Sequence, residues 1–259
     1  MLLDLDGTLY TDAGALPGAV DVVKLVRRRG VPFRFVSNTS GRSRSRVVQR
    51  LRAYGLDASP EELITSVVAA ARILGKMGAQ RIAPFLKQAA LEDLADFELV
   101  GGVAPAAAGK PDAVVVGDMG DQWSHALMNQ AFRYLLDGAP LVVAEKDRYW
   151  LGPTGLELDA GPYVVALEYA AGVQATVCGK PSHAFYDTAM ESMGWRDWRR
   201  NPNAIPVMIG DDVWSDVDGA QKAGLEGWLV RTGKYRPDVL ERSGVQPNRV
   251  LNSIADLCV

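Results

Sequence analysis

Acidic side chains recur in this chain where an apolar run stops. In Met1-Leu2-Leu3-Asp4-Leu5-Asp6-Gly7-Thr8, two carboxylates stand two residues apart at the end of such a run. Side chains alternate along a strand, so this spacing predicts Asp4 and Asp6 on one face with Leu5 turned to the core. Adjacent acids repel unless a divalent cation lies between them or one keeps its proton, and Gly7 lets the backbone turn sharply away. The competing reading, an acidic surface turn, ranks below a metal and phosphate site.

Three more polar clusters follow apolar runs. Val31 to Val36 opens into Ser37-Asn38-Thr39-Ser40-Gly41, Ala175 to Cys178 into Gly179-Lys180-Pro181-Ser182, and Ile205 to Ile209 into Gly210-Asp211-Asp212, with Asp216 and Asp218 beyond. In an open parallel sheet such strand ends lie on one edge, where ligands bind near the topological switch point. Carboxylate oxygens without histidine or thiolate partners suit a hard cation, Mg2+ above all, while a lysine and Ser/Asn donors suit a phosphoryl group. Taken singly, Lys180 reads equally as a surface charge. The run Arg42, Arg44 and Arg46 reads as a solvated helix face, and the charges of Arg231 to Arg236 as exposed.

The elements that must position these groups alternate between strand and helix. Pro17 suits a helix N1, Val22, Val23 and Val26 form its apolar face, and Arg27 to Arg29 before Gly30 close it. A second helix carries Val47, Val48, Leu51 and Tyr54 and stops at Gly55. Further on, strands are expected at Arg81 to Leu86, Ala113 to Gly117 and Leu141 to Ala144, with Ser124 capping a helix through Leu127, Ala131 and Leu135. Ala104 to Gly109 reads as a small-residue loop. Gly102 to Lys110 imitates a P-loop, but its glycine spacing fails and Pro111 stands where Ser or Thr is required. Ile254 to Val259 reads as a closing helix.

The 259 residues, 48% hydrophobic and 23% charged, suffice for one large domain or two modest ones. A net charge of -3 gives no basic field for nucleic acid, and no run approaches the roughly 18 apolar residues of a membrane span. Asp4 and Asp6 interrupt any signal-peptide h-region. Two cysteines, Cys178 and Cys258, make no disulfide framework and fit a reducing, cytoplasmic setting. With His125 and His183 alone, neither a histidine-rich zinc site nor a serine-hydrolase triad is expected.

In this order and context the four clusters resemble the four motifs of the haloacid dehalogenase superfamily of phosphohydrolases. The stretch between the Ser37 and Lys180 motifs is similar to the large α/β cap of its NagD-like class IIA. Met128-Asn129-Gln130-Ala131-Phe132, Gly161-Pro162-Tyr163 and Arg231-Thr232-Gly233-Lys234 carry the likeness further. The resemblance implies an α/β fold, a Rossmann-like parallel-sheet core formed by residues 1–66 and 171–259 with an inserted cap at 67–170. It implies Asp4 as the nucleophile that forms an aspartyl-phosphate and Asp6 as general acid and base. Ser37, Asn38 and Lys180 would bind phosphate, and Asp4, Asp6 through its carbonyl and Asp211 would hold Mg2+, with Asp212 and Asp216 in support. Asp218 remains a surface acid. Asp6 favours a phosphatase over a dehalogenase, which needs no acid for a leaving alcohol.

Two functions from different classes follow. One is a Mg2+-dependent phosphatase acting on a phosphate monoester, phosphoramidate or pyrophosphate. The other is a catalytically vestigial protein that binds a phosphorylated ligand or a partner, against which the paired Asp4 and Asp6 argue. A homodimer through the cap stays open, and exposed cap aromatics, Trp123 in particular, would speak for it. For Glu145 to Trp150, a substrate-facing loop and a structural hairpin both stand. The first strand, with only Met1 to Leu3 before Asp4, is short for the family and points to weak anchoring or a trimmed start.

Overall fold

The computed structural model describes residues 1–104, 109–152, 155–201 and 205–258. The chain forms two compact units, one of Met1–Ser37, Ser45–Ile64 and Lys180–Val259, the other of Asn38–Arg44 and Thr65–Gly179.

The first unit is built on a six-stranded sheet in the order Arg249–Leu251, Glu226–Val230, Val207–Gly210, Leu2–Asp4, Arg34–Ser37, Leu63–Thr65. Its pairs from Arg249–Leu251 to Arg34–Ser37 are parallel. Leu2 and Leu3 are fully buried, as a central parallel strand covered on both faces requires. Leu3 pairs with Ile209 and Asp4 with Val36, so Asp4, Ser37 and the Gly210-Asp211 step reach the same sheet edge. The strands flanking Leu2–Asp4 lie in opposite directions along the chain order, which makes this edge the switch point.

Sequence expectations shift here for local reasons. The first helix runs Ala19–Arg28, two residues past Pro17, because Gly18, at φ 80°, packs where any Cβ would lie 2.4 Å from the Ala255 side chain. The strand expected from Val31 begins at Arg34, whose N–H reaches the Met1 carbonyl, while the Val31 N–H turns back to the Val26 carbonyl and the Pro32 carbonyl accepts the Met1 ammonium at 2.8 Å. The closing segment is a 3-10 helix, Ile254–Cys258, and Val259 lies outside the described residues.

The second unit carries a parallel five-stranded sheet, Thr176–Val177, Leu141–Val143, Ala113–Val116, Arg81–Phe85, Glu98–Leu99. Its helices are Ser66–Lys76, His125–Leu136 and Ala160–Ala171. Thr65 and Ser124 cap the first two, their hydroxyls accepting the N–H of Val68 and Leu127. Tyr149–Gly152 and Gly155–Leu158 form an antiparallel hairpin. Thr176–Val177 pairs with Leu141–Val143, which draws residues 171–179 into this unit, whereas the sequence reading ends the insertion at 170. Asn38–Arg44 joins it through side-chain bonds described below. The greater part of the expected small-residue loop, 105–108, lies outside the described residues.

Candidate active site

The strand Leu2–Asp4 ends at Asp4, and the chain then folds back, with the Leu9 N–H donating to the Leu5 carbonyl at 2.8 Å and Gly7 at φ 80°. The strand therefore ends at Asp4, two residues short of the extended run expected through Asp6. Asp4 is buried and Asp6 exposed, with Leu5 in the core as expected. Asp6 Oδ2 accepts the Tyr10 hydroxyl at 3.2 Å. Burial, then the Asp6 charge, pushes the Tyr10 phenol well up, which keeps it a donor.

Asp4 is held from two sides. Its Oδ2 accepts Thr8 Oγ1 at 3.2 Å, and its Oδ1 accepts Lys180 Nζ at 2.6 Å. The same ammonium donates to Asp216 Oδ1 at 2.6 Å. Lys180 is 3% exposed. Burial works against its charge, but Asp216 and then Asp4 outweigh it and hold its pKa well above the ordinary lysine value.

Asp211, at the end of Val207–Gly210, completes a buried cluster: oxygens of Asp4, Asp211 and Asp216 lie within 4.8 Å of one another. Burial, then Asp4 and Asp216, pushes the Asp211 carboxyl up to about 8. Three carboxylates face one ammonium, and the two uncompensated charges are what a divalent hard cation would balance. The donor set fits a divalent metal.

Glycines make room for this cluster. A Cβ on Gly7 would lie 2.0 Å from Asp211 Oδ2, one on Gly233 1.9 Å from the same atom, and one on Gly210 2.1 Å from Asp216 Oδ2. The Lys234 N–H donates to Asp211 Oδ2 at 2.6 Å, and Thr232 Oγ1 to the Gly7 carbonyl at 2.6 Å. The Arg231 to Arg236 stretch thus serves the site through backbone and hydroxyl groups as well as through the Lys234 ammonium, which meets Asp212. Thr8, Gly233 and the Lys234 amide were not singled out from sequence, and only the shared Arg231-Thr232-Gly233-Lys234 likeness pointed towards two of them.

Asp212 caps the π-helical turn Val213–Asp218, its Oδ1 accepting the N–H of Trp214 and Ser215, while Oδ2 meets Lys234 Nζ at 3.2 Å. Asp218 pairs with Lys222 four residues on. Ser37 closes its strand one residue beyond Val36, the partner of Asp4.

Asn38 belongs to the second unit, where its Nδ2 donates to Asp147 Oδ2 at 3.4 Å. The Glu145 to Trp150 run divides its duties. Glu145 is buried, Lys146 pairs with Glu168 at 2.7 Å, and Tyr149 and Trp150 open the hairpin. Trp123 is half-buried, its ring stacked on Tyr163 at 5.1 Å and Phe85 at 5.8 Å, so it offers no exposed aromatic patch. Exposed apolar groups in this unit include the aromatics Tyr149, Trp150 and Tyr169, the last 91% exposed, together with Leu136, Leu156 and Leu158.

Comparison with known proteins adds the following. The haloacid dehalogenase-like hydrolase family matches residues 1–99, and the HAD-hydrolase-like family residues 177–257. The chain is 40% identical over 236 residues to haloacid dehalogenase-like hydrolase domain-containing protein 2 of Bos taurus, covering 91% of this chain and 85% of that protein. It is 35% identical over 265 residues to phospholysine phosphohistidine inorganic pyrophosphate phosphatase of Homo sapiens, covering 99% and 91%. The crystal structure of a 4-nitrophenylphosphatase from Thermotoga maritima superposes with a TM-score of 0.85 at 26% identity, covering 99% of this chain and 94% of that one.

Proposed function

The chain belongs to the haloacid dehalogenase-like hydrolases and is an enzyme of that family, and from this premise we propose that it is a Mg2+-dependent phosphatase working through an aspartyl-phosphate on Asp4. The observation that carries the reading is the buried Asp4 carboxylate, fixed by Lys180 at 2.6 Å beside Asp211 and Asp216. Asp4 attacks phosphorus, the bond to the leaving group breaks, and the leaving atom takes a proton from Asp6. Asp6 then removes a proton from the water that cleaves the acyl phosphate, returning Asp4 as a carboxylate. Exposure of Asp6 and its bond to the Tyr10 hydroxyl suit a group that must trade protons with solvent between turnovers. Ser37, Asn38 and Lys180 bind phosphoryl oxygens, and the Lys180 ammonium also holds the Asp4 carboxylate in place for attack. Asp4 and Asp211, with the Asp6 carbonyl, would hold Mg2+, with Asp216 behind them, and the ion would neutralise charge on the phosphoryl group.

The substrate class is a small phosphate monoester, phosphoramidate or pyrophosphate, a span supported by the printed activities of the relatives. In this reading residues 67–170 act as a cap over a core of residues 1–66 and 171–259, and the protein works in the cytoplasm. No helix among the described residues is long and apolar enough to cross a membrane. Exposed Leu156, Leu158 and Tyr169 support a homodimer through the cap.

Phosphate release from a panel of phosphohistidine, phospholysine, pyrophosphate, sugar phosphates and p-nitrophenyl phosphate, with and without Mg2+, tests the reading. Asp4→Asn should fold as wild type and lose at least about 10^3-fold in kcat. Wild-type rates in that variant would overturn the mechanism. Silence of folded wild type across the panel would favour a vestigial binding protein.

A further inference from the structure

In the second unit, the loop Asn38–Arg44 is held at several points by side chains remote in sequence. Ser66 Oγ is shared between the carbonyls of Asn38 and Thr39, at 2.9 and 3.1 Å. Ser40 Oγ donates to Glu145 Oε1 at 2.7 Å and accepts the Asp118 N–H at 2.8 Å. Asp93 takes both the N–H and the Nε of Arg44, at 2.8 and 3.1 Å.

Glu145 reaches further than the others. Its second oxygen, Oε2, accepts the Asp147 N–H at 3.2 Å, and the Asp147 carboxylate in turn takes the Asn38 amide. One buried side chain therefore joins Ser40 to the backbone that aims the partner of Asn38. The Ser40 hydroxyl is itself confined: a Cβ on Gly117 would lie 3.1 Å from Ser40 Oγ and 3.0 Å from its Cβ. A hydroxyl packed this closely keeps its partners, so its bond to Glu145 sets the loop's position.

We propose that Glu145 is a positioning residue for phosphoryl binding, which fixes through Ser40 and Asp147 where the loop presents Asn38. The proposal rests on the reading of Ser37 and Asn38 as phosphoryl ligands given above.

The groups that face Glu145 are Ser40 from the loop, Asp147 from its own segment and Asp159 from the start of Ala160–Ala171. Asp118, paired with Lys87, stands behind Ser40. Burial, then the charge of Asp159, holds the Glu145 carboxyl well above the usual carboxylate range. Glu145 accepts from Ser40 on one oxygen and from the Asp147 N–H on the other. Glutamine keeps one of these two acceptors in the same shape, and alanine removes both.

The test combines amide hydrogen exchange over residues 38–44 with kcat and KM for p-nitrophenyl phosphate. In Glu145→Ala, exchange in the loop should quicken about tenfold and KM rise about tenfold, with kcat within about threefold, since one or two buried hydrogen bonds are lost. Glu145→Gln should fall between wild type and Glu145→Ala in both readouts. Ser40→Ala cuts one of the same bonds from the loop side, so Glu145→Ala with Ser40→Ala should cost less than the sum of the two.

Unchanged exchange in the loop of Glu145→Ala overturns the proposal, as does quickening spread evenly over the second unit or a Glu145→Gln variant no better than Glu145→Ala. If Glu145→Ala does not fold, Ser40→Ala carries the same measurement. If wild type releases no phosphate, the proposed function falls, and the exchange readout alone decides whether Glu145 holds the loop.

Discussion

Asp4, Asp211 and Asp216 in the first unit, and Glu145, Asp147 and Asp159 in the second, are both triads whose carboxylate oxygens approach within 4.8 Å. They manage their charge differently. The first contains a buried ammonium, Lys180, bonded to two of its members. Donors to the second include the Ser40 hydroxyl, the Asn38 amide and the N–H groups of Asp147 and Ala160. Lys146 beside it is engaged by Glu168. Burial and mutual repulsion raise carboxyls in both triads, Glu145 well above the usual range and Asp159 to about 6 in the second, Asp211 to about 8 and Asp216 to about 6 in the first. Equal spacing of carboxylates does not define equal chemistry. What distinguishes the first triad is the buried Lys180 ammonium bonded to Asp4 and Asp216, beside an Asp211 carboxyl whose burial among acids a divalent cation would relieve; the second triad is tied into its loop by hydrogen bonds.

Removing the ammonium should break this contrast most severely. Lys180→Ala leaves Asp4 and Asp216 buried and uncompensated, so we expect a loss of about 3–5 kcal/mol in urea unfolding. Adding Asp216→Asn should return part of it. If Lys180→Ala unfolds like wild type, the ammonium does not hold the first triad together.

The next effect is steric. Gly7→Ala places a methyl 2.0 Å from Asp211 Oδ2 at a backbone φ of 80°, where an L side chain is already strained. We expect about 2 kcal/mol or more of lost stability and displacement of Asp211 from Asp4, read by thermal unfolding and Mg2+ titration calorimetry. Gly30→Ala also has a positive φ but nothing within 4 Å, so it isolates the backbone share of the cost.

How far the sequence discloses this contrast depends on the range of each contact. Asp4, Lys180 and Asp211 are legible because a charge at the end of an apolar run is a local signal, and a parallel sheet brings such ends to one edge. The shared sheet edge follows from the same pattern. The glycines at 210 and 233 are not legible, because what crowds them is a carboxylate brought in by folding. Ser40 and Glu145 are 105 residues apart, and no periodicity links a loop serine to an acid at a strand end. The turn after Asp4 was misread as continuing strand because Leu5 is buried in either conformation, and burial alone does not separate them.

The raised Asp159 carboxyl of the second triad predicts a smaller, pH-dependent effect. The folded value of Asp159, about 6, lies above its unfolded value of 3.8, so the fold favours the protonated acid. Stability is then full below about 3.8 and falls as pH rises towards 6. Asp159→Asn keeps the acceptor for the Ala160 N–H and removes the ionisation, so its urea midpoint should fall less between pH 4 and 7 than that of wild type. We expect a gain of roughly 1 kcal/mol at pH 7, after solvent screening of a half-buried group. A variant that tracks wild type at every pH would place a charge, not a proton, on Asp159.

The smallest expected effect separates a charge near the first triad from a charge inside it. Lys234 approaches the acids in two ways: its Nζ meets Asp212 at 3.2 Å from a side chain 70% exposed, and its backbone N–H donates to Asp211 at 2.6 Å. Lys234→Ala deletes the first contact and keeps the second. An exposed ion pair contributes little, so stability should change by no more than about 0.5 kcal/mol and Mg2+ affinity by less than about threefold. Lys234→Pro keeps neither, since proline has no N–H to give Asp211, and should weaken Mg2+ binding about tenfold or more, the loss of a hydrogen bond to a charged group. A large loss in Lys234→Ala would mean that the triad relies on two ammonium groups, and burial of Lys180 would no longer be what distinguishes it from the clamp in the second unit.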